Sequence, residues 1–334
     1  MEQLGFEGMP RRLYACTPTR LSTWLDCPRR YRMTYLDRPA PSKGPPWAHN
    51  SLGASVHNAL AGWWRLPLRQ RTVTAAGDLL DSGWLSDGFA DTAQSLMHRR
   101  RCRQLAEAYV SDLDPAAEPA GVERTVATRT DLITVSGRID RLDDRRHPGG
   151  EPGELVVVDY KTGRHRPSVD DARTSLALAL YALAASRVLR RPCTKVELHH
   201  LPTASVLAWD HTPESLARQL GRAEAIASEC AAADETYKAA AAGDPAAAKV
   251  FAARPGPGCS WCDFRAHCRE GTAASPQRRP WDGLAVTAAD DTAAADDTAA
   301  ADHMAASDDA GAADETTPAS AGLLAGAVPS QRRA

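Results

Sequence analysis

ELVVVDYKTG, residues 154–163, is the stretch on which the reading of this 334-residue chain turns. Four apolar residues run without alternation from Leu155 to Val158, as in a strand buried on both faces. The run stops abruptly at Asp159-Tyr160-Lys161. Asp159 and Lys161 are two apart, so on a strand both side chains leave the same face. A charged pair at a strand end lies where α/β sheets place ligands; a plain surface ion pair is the alternative. Upstream, GVERTVATR (121–129) and LITVSGRIDRL (132–142) alternate as strands, and the expectation is that Asp140 ends the second of them. Antiparallel pairing with 154–163 would bring Asp140 and Asp159 together. Two adjacent carboxylates are costly unless a cation lies between them, and hard oxygen ligands select Mg²⁺ or Mn²⁺. Glu123 either joins this acidic cluster or supports it.

Helices flank the strands. Thr17 and Pro18 supply an N-cap and a first helical residue for TRLSTWLD, which Cys27-Pro28 interrupts before RRYRMTYL. NSLGASVHNALAGWWRL (50–66) reads as a helix, as do residues 91–112. His57 has Gly53 and Ala61 one turn away on either side, a bare row that leaves room for a ligand, although a lone helical histidine is commonly a satisfied core residue. Residues 166–189 read as one crossover helix, 193–202 and 205–212 as a hairpin, and Pro213 to about Ala242 as a long helix. The pattern is α/β, a mixed central sheet with a helical surround.

Apolar residues make up 43% of the chain and charged residues 25%, ordinary for a soluble globular protein. No run approaches ~18 apolar residues and no leader pattern opens the chain, so the expected location is cytoplasmic and no membrane partner is implied. The net charge of −2 conceals an asymmetry. Residues 281–334 hold ten acidic residues and two arginines, a charge of −8, against +6 for the rest. This Ala/Asp-rich stretch has almost no bulky apolar residue and is expected to be disordered; it either competes with an anionic ligand for the basic body or is an inert extension. Five lysines against 35 arginines mark Lys161 as one retained for a task arginine cannot do.

GASVHNAL, GRIDRLD and VVVDYKTG occur in this order and resemble the PD-(D/E)XK nuclease superfamily, more narrowly its RecB-type exonuclease branch; TRLSTWLDCPRRYRMTYLD resembles the start of such domains. The resemblance implies a restriction-endonuclease-like core over residues 17–270, between an extension (1–16) and the acidic tail (271–334). It implies a divalent ion held by His57, Asp140 and Asp159, with the Tyr160 carbonyl completing the shell, and Lys161 acting on the attacking water and the scissile phosphate. Tyr181 matches the tyrosine of the following helix, but Ala177 stands where the branch usually carries glutamine, which bears on substrate handling.

PGPGCSWCDFRAHC (255–268) carries Cys259, Cys262 and Cys268. A subset of the branch has one cysteine before the core and three after it, and Cys27 matches the first. The resemblance therefore implies a [4Fe–4S] cluster that staples the two ends of the domain; a Cys₄ zinc site has the same spacing. Zinc through His267 is disfavoured, because ligands adjacent in sequence to Cys268 strain a tetrahedral cage. Cys16, Cys102, Cys193 and Cys230 read as buried thiols. Arg29, Arg30 and Arg32 interleaved with Tyr31 and Tyr35 suit phosphate contact and base stacking; the alternative is that the arginines only balance the charge of the cluster. Arg164, His165 and Arg166 follow the candidate catalytic strand, whereas Arg99, Arg100, Arg101 and Arg103 read as a solvated face. The expected activity is an exonuclease acting on DNA ends in repair or recombination, with a helicase as a possible partner. The alternatives are a CRISPR-associated end-trimming nuclease or a non-catalytic DNA-binding module that keeps the fold.

Overall fold

The computed structural model describes residues 13–145, 153–241 and 244–284. The acidic stretch from residue 285 onward, with the disorder and ligand competition expected of it, lies outside the described residues. Six strands form one mixed sheet: β1 (Tyr14–Cys16), β2 (Gly121–Arg129), β3 (Ile133–Arg145), β4 (Glu154–Lys161), β5 (Lys195–His200) and β6 (Ser205–Asp210). The order is β1-β3-β4-β5-β6, with β2 also paired to β3. β2–β3, β3–β4 and β5–β6 are antiparallel, while β1–β3 and β4–β5 are parallel.

β4 is the spine. Leu155, Val156, Val157 and Val158 are all 0% exposed. Leu155 and Val157 pack toward α7 (Leu176–Leu189) and the start of α8 (Pro213–Ala239), whereas Val156 and Val158 pack toward α3 (Ala48–Arg65), α4 (Val73–Ser82) and α5 (Thr92–Ser111). Burial on both faces is why the strand does not alternate. Each such side chain contributes about 1.5–3 kcal/mol.

The helices largely follow their local signals. α1 (Pro18–Asp26) starts with Thr17 accepting from the Arg20 N–H and Pro18 at the first position. Cys27 is extended, closing α1 and opening α2 (Pro28–Tyr35). The expected single helix over 166–189 is two. Ser175 leaves the helical region at φ −61°, ψ 110° and its hydroxyl caps α7 by accepting from the Leu178 N–H, which ends α6 (Val169–Thr174). α4 was not anticipated; Thr72 caps it, and Arg99 and Arg103 of α5 reach across to its Asp81, so these arginines tie two helices together.

The ends of the domain also differ from expectation. β1 falls within the presumed extension and adds to the sheet because Tyr14–Cys16 pairs with Ile133–Val135, burying Cys16. Beyond the cysteine run, α10 (Arg269–Ala274) and a short turn at Asp282–Leu284 continue the fold, and the Pro280 carbonyl accepts from the Ala48 N–H at the head of α3 (3.0 Å). Cys102, Cys193 and Cys230 are buried thiols, as read. No helix of the described residues is long and apolar enough to cross a membrane.

Candidate active site

Two ladders break at one place. β2 and β3 pair in register on both sides of Glu123 and Asp140, but not there. β3 and β4 pair from Arg145↔Glu154 up to Arg141↔Val158, one step short of Asp140 and Asp159. Extending both registers puts Glu123, Asp140 and Asp159 in a single row across three strands. Asp140 therefore does not end its strand, as the sequence suggested. β3 continues to Arg145; what ends at Asp140 is the pairing with β4. There the Asp140 carboxylate replaces a strand partner, its Oδ2 accepting from the Tyr160 N–H at 2.9 Å.

Glu123 takes φ +48°, a left-handed conformation rare for a side chain of this kind and typically costing 1–3 kcal/mol. That conformation interrupts β2 at the row. Arg138 holds the Glu123 carboxylate at 2.8 Å. From the opposite side, α3 brings His57, whose Nδ1 lies 3.4 Å from Asp140 Oδ2. Ligand atoms of His57, Glu123 and Asp140 all lie within 4.8 Å of one another. Glu123 is thus part of the cluster rather than a support. Gly53 makes the approach of α3 possible, because a Cβ there would already sit 3.3 Å from Thr162 Oγ1, just past β4. The bare row beside His57 seats the helix against the strand end and does not enlarge the site.

Asp159 lies outside that three-residue group. Its Oδ2 is sealed from solvent and faces Lys161 Nζ at 3.0 Å, an ion pair without an aligned hydrogen bond. Protonation equilibria report a site with more anionic oxygens than it can settle. Burial raises the Asp159 carboxyl above its usual range, and the charge of Asp140 adds to this despite Lys161. Burial would raise Asp140, but His57, the Tyr160 N–H and Lys161 together pull it below its usual value. Burial would lower His57, yet Asp140 and then Asp159 push it up to about 9. Carboxylates and one imidazole converging on a site of partial burial are the donor set for a hard divalent cation, so the residues fit such an ion.

Tyr160 points the other way. Its ring is buried beside Tyr109, His199 and Arg141, edge-on to His57 at 5.7 Å. Tyr181 packs onto the bare backbone of β3: a Cβ on Gly137 would lie 2.3 Å from its ring. Arg164 and Arg166, just beyond Lys161, are exposed.

A family model described as the PD-(D/E)XK nuclease superfamily matches residues 15–269. The chain belongs to that superfamily. The nuclease character of the superfamily, with its use of a divalent metal, accords with the carboxylate row of this chain. No curated protein matches the chain.

The four cysteines of this superfamily member come together from the two ends of the domain. Cys27, Cys259, Cys262 and Cys268 line one cavity of about 240 Å³. The backbone N–H groups of Arg254 and Gly271 approach the sulfurs of Cys27 and Cys268 at 3.5 and 3.4 Å, and Arg29 reaches Cys268 at 3.9 Å. The expected DNA-stacking role of the preceding segment does not survive. Tyr31 is 0% exposed and hydrogen-bonded to Asp234, Tyr35 packs on it with ring centroids 5.2 Å apart, and Arg30 and Arg32 pair with Asp26 and Asp37. Sequence showed the alternation of arginine and tyrosine, but not that Arg20 and Asp234 claim the tyrosine from elsewhere in the chain.

Proposed function

We propose that this chain is a Mg²⁺- or Mn²⁺-dependent deoxyribonuclease of the RecB type that trims DNA from free ends. The observation that carries the reading is the row Glu123–Asp140–Asp159, closed on one side by His57 and on the other by Lys161. Bound there, a divalent ion would lower the pKa of a coordinated water and offset charge on the phosphate. His57, Glu123, Asp140 and Asp159 would hold it, with the Tyr160 carbonyl as a further ligand. Asp159 keeps the Lys161 ammonium at the row, where a compact point charge with rotatable donors can meet both a water and a phosphate oxygen. The arginines after Lys161 continue positive charge outward, where a backbone phosphate would leave the site.

We further propose that the four cysteines carry a [4Fe–4S] cluster. A tetrahedral zinc ion with Zn–S bonds of ~2.3 Å would draw its sulfurs to about 3.8 Å from one another. A cavity of about 240 Å³ lined by all four cysteines has room for a polynuclear cluster, and backbone N–H groups directed at sulfur would tune its potential.

The test is digestion of end-labelled single- and double-stranded DNA with Mn²⁺, Mg²⁺ or EDTA. Metal-dependent loss of label from the ends is expected. Asp140→Ala and Asp159→Ala should abolish cleavage and weaken Mn²⁺ binding, whereas Lys161→Ala should abolish cleavage with Mn²⁺ still bound. Cleavage by any of the three at near the parent rate refutes the site. DNA binding without cleavage under every metal condition would instead favour a module that only binds.

A further inference from the structure

A second cavity, of about 140 Å³, lies between α6, β6 and the first turns of α8. We infer that it binds a phosphate monoester at a site separate from the carboxylate row. Its lining includes Arg173, Trp209, His211, Ser215, Arg218 and Gln219. Three buried polar atoms around it have no partner among the described residues: Trp209 Nε1, His211 Nε2 and Gln219 Oε1. Each such atom typically costs 1–3 kcal/mol unless something meets it, and three in one wall point to an occupant that does.

The chemistry of the wall selects the occupant. His211 is 3% exposed. Its Nδ1 lies 2.9 Å from Ser215 Oγ, and that hydroxyl already gives its proton to the Thr212 carbonyl. With the hydroxyl donating there, Nδ1 carries the hydrogen and Nε2 is left as an acceptor; burial keeps the imidazole neutral by holding it below its usual pKa. Trp209 Nε1–H is a donor. Arg173 and Arg218 are exposed; Arg173, with its guanidinium carbon 5.9 Å from the Trp209 ring centroid, is paired with Asp170 at 2.9 Å, so Arg218 is the main source of side-chain positive charge. The start of the 27-residue α8 contributes the positive end of its dipole. An oxyanion that also has one proton to give satisfies this set. A phosphate monoester does as its monoanion, a form within easy reach because its second pKa is ≈ 6. Sulfate and an internal phosphodiester are anionic but have no proton for Nε2. The Gln219 amide can present either end.

Trp209 pairs with Val196, which pairs with Val157, two residues before Asp159 on the same face of the sheet. Two strand spacings and two residues along the strand separate the Cα atoms of Trp209 and Asp159 by about 12 Å. The monoester could be a DNA end or a free mononucleotide. The inference stands on these residues alone and does not require the nuclease reading.

The experiment uses the full chain in EDTA at constant ionic strength, with inorganic phosphate, sulfate and dAMP as probes, read by calorimetry and tryptophan fluorescence. Phosphate and dAMP should bind at least tenfold more tightly than sulfate. Arg218→Glu, at an exposed position, should weaken both at least tenfold, as should His211→Phe where it folds; Asp140→Asn should leave them unchanged. Oligonucleotides ending in phosphate or hydroxyl separate the sources. An Arg218-dependent advantage for the phosphate end identifies DNA, and an advantage confined to dAMP identifies the free nucleotide. Equal affinity for sulfate and phosphate, no binding, or indifference to Arg218→Glu overturns the inference.

Discussion

Replacing Tyr31 by phenylalanine should unsettle the corner that carries Cys27. The Tyr31 hydroxyl donates to Asp234 Oδ1 at 2.8 Å and accepts from Arg20 Nε at 3.0 Å and Nη2 at 2.8 Å. With its own proton committed to Asp234, it also accepts from the Tyr14 hydroxyl at 2.6 Å. One oxygen therefore links β1, α1, α2 and α8. Phenylalanine keeps the ring and its packing against Trp24 and Tyr35 but strips Asp234 Oδ1, Arg20 Nε and the Tyr14 hydroxyl of a partner. Hydrogen bonds to charged groups contribute ≈ 1.5–3 kcal/mol each. Two charged partners are affected, but Arg20 is 24% exposed and keeps Asp234 Oδ2 at 2.9 Å, so the expected total is about 3 kcal/mol. At 2–4 °C per kcal/mol for a domain of this size, the Tm should fall by roughly 6–12 °C. Urea unfolding of Tyr31→Phe, Asp234→Asn and the double variant gives the coupling directly, and the double variant should lose much less than the sum. Thiol alkylation supplies the second readout, with Cys27 reacting faster in Tyr31→Phe while buried Cys102 does not change. A loss below 1 kcal/mol, or additive single variants, would refute the reasoning.

Glu123→Gln should keep the fold and lower Mn²⁺ affinity at least tenfold by calorimetry, because it removes one charge from the His57–Glu123–Asp140 group; unchanged affinity would exclude Glu123 from the metal site. Burial alone would raise the Glu197 carboxyl, but hydrogen bonds from His199 and Arg145 outweigh it and hold it at about 2. A depressed carboxyl contributes stability above its unfolded value of 4.5 that is lost as pH falls toward 2, here about 2 kcal/mol between pH 7 and pH 3. Glu197→Gln should therefore lose less stability than the parent over that interval, by about that amount in urea titrations. Gly137→Ala drives a methyl into the Tyr181 ring and should cost 1–3 kcal/mol, relieved in Gly137→Ala/Tyr181→Ala when the two are compared by thermal unfolding.

Much of the fold was legible because its signals are local. The unbroken run of β4, the Thr17-Pro18 cap and the bounds of β2 need only neighbours along the chain. The split at Ser175 was missed because a serine cap inside an apolar helical pattern changes no periodicity. In the site, Asp140, Asp159 and Lys161 showed themselves as a strand end rich in charge. The place of Glu123 did not, since it depends on a backbone torsion and on a register across β3 that no pattern within β2 encodes. Tyr31 failed in the opposite sense. Its arginine-rich surroundings suggested an exposed binding face, and the partners that bury it, Arg20 and Asp234, lie 11 residues before it and 203 after it.

The cysteine cavity also constrains the order in which the molecule can be made. Cys27 leaves the ribosome ahead of β2–β6, while Cys259, Cys262 and Cys268 arrive only after the whole sheet has been synthesised. β1 must likewise wait for Ile133–Val135 before it has a strand to join. α1 and α2 pack mainly on α8, with β3 and α7 beside it, so the first two helices lack much of their docking surface until residue 239 or so has emerged. Synthesis from the N-terminus thus yields a middle that can pair with itself and a beginning that cannot yet close. Chains that stop short of residue 259 would keep that N-terminal corner open.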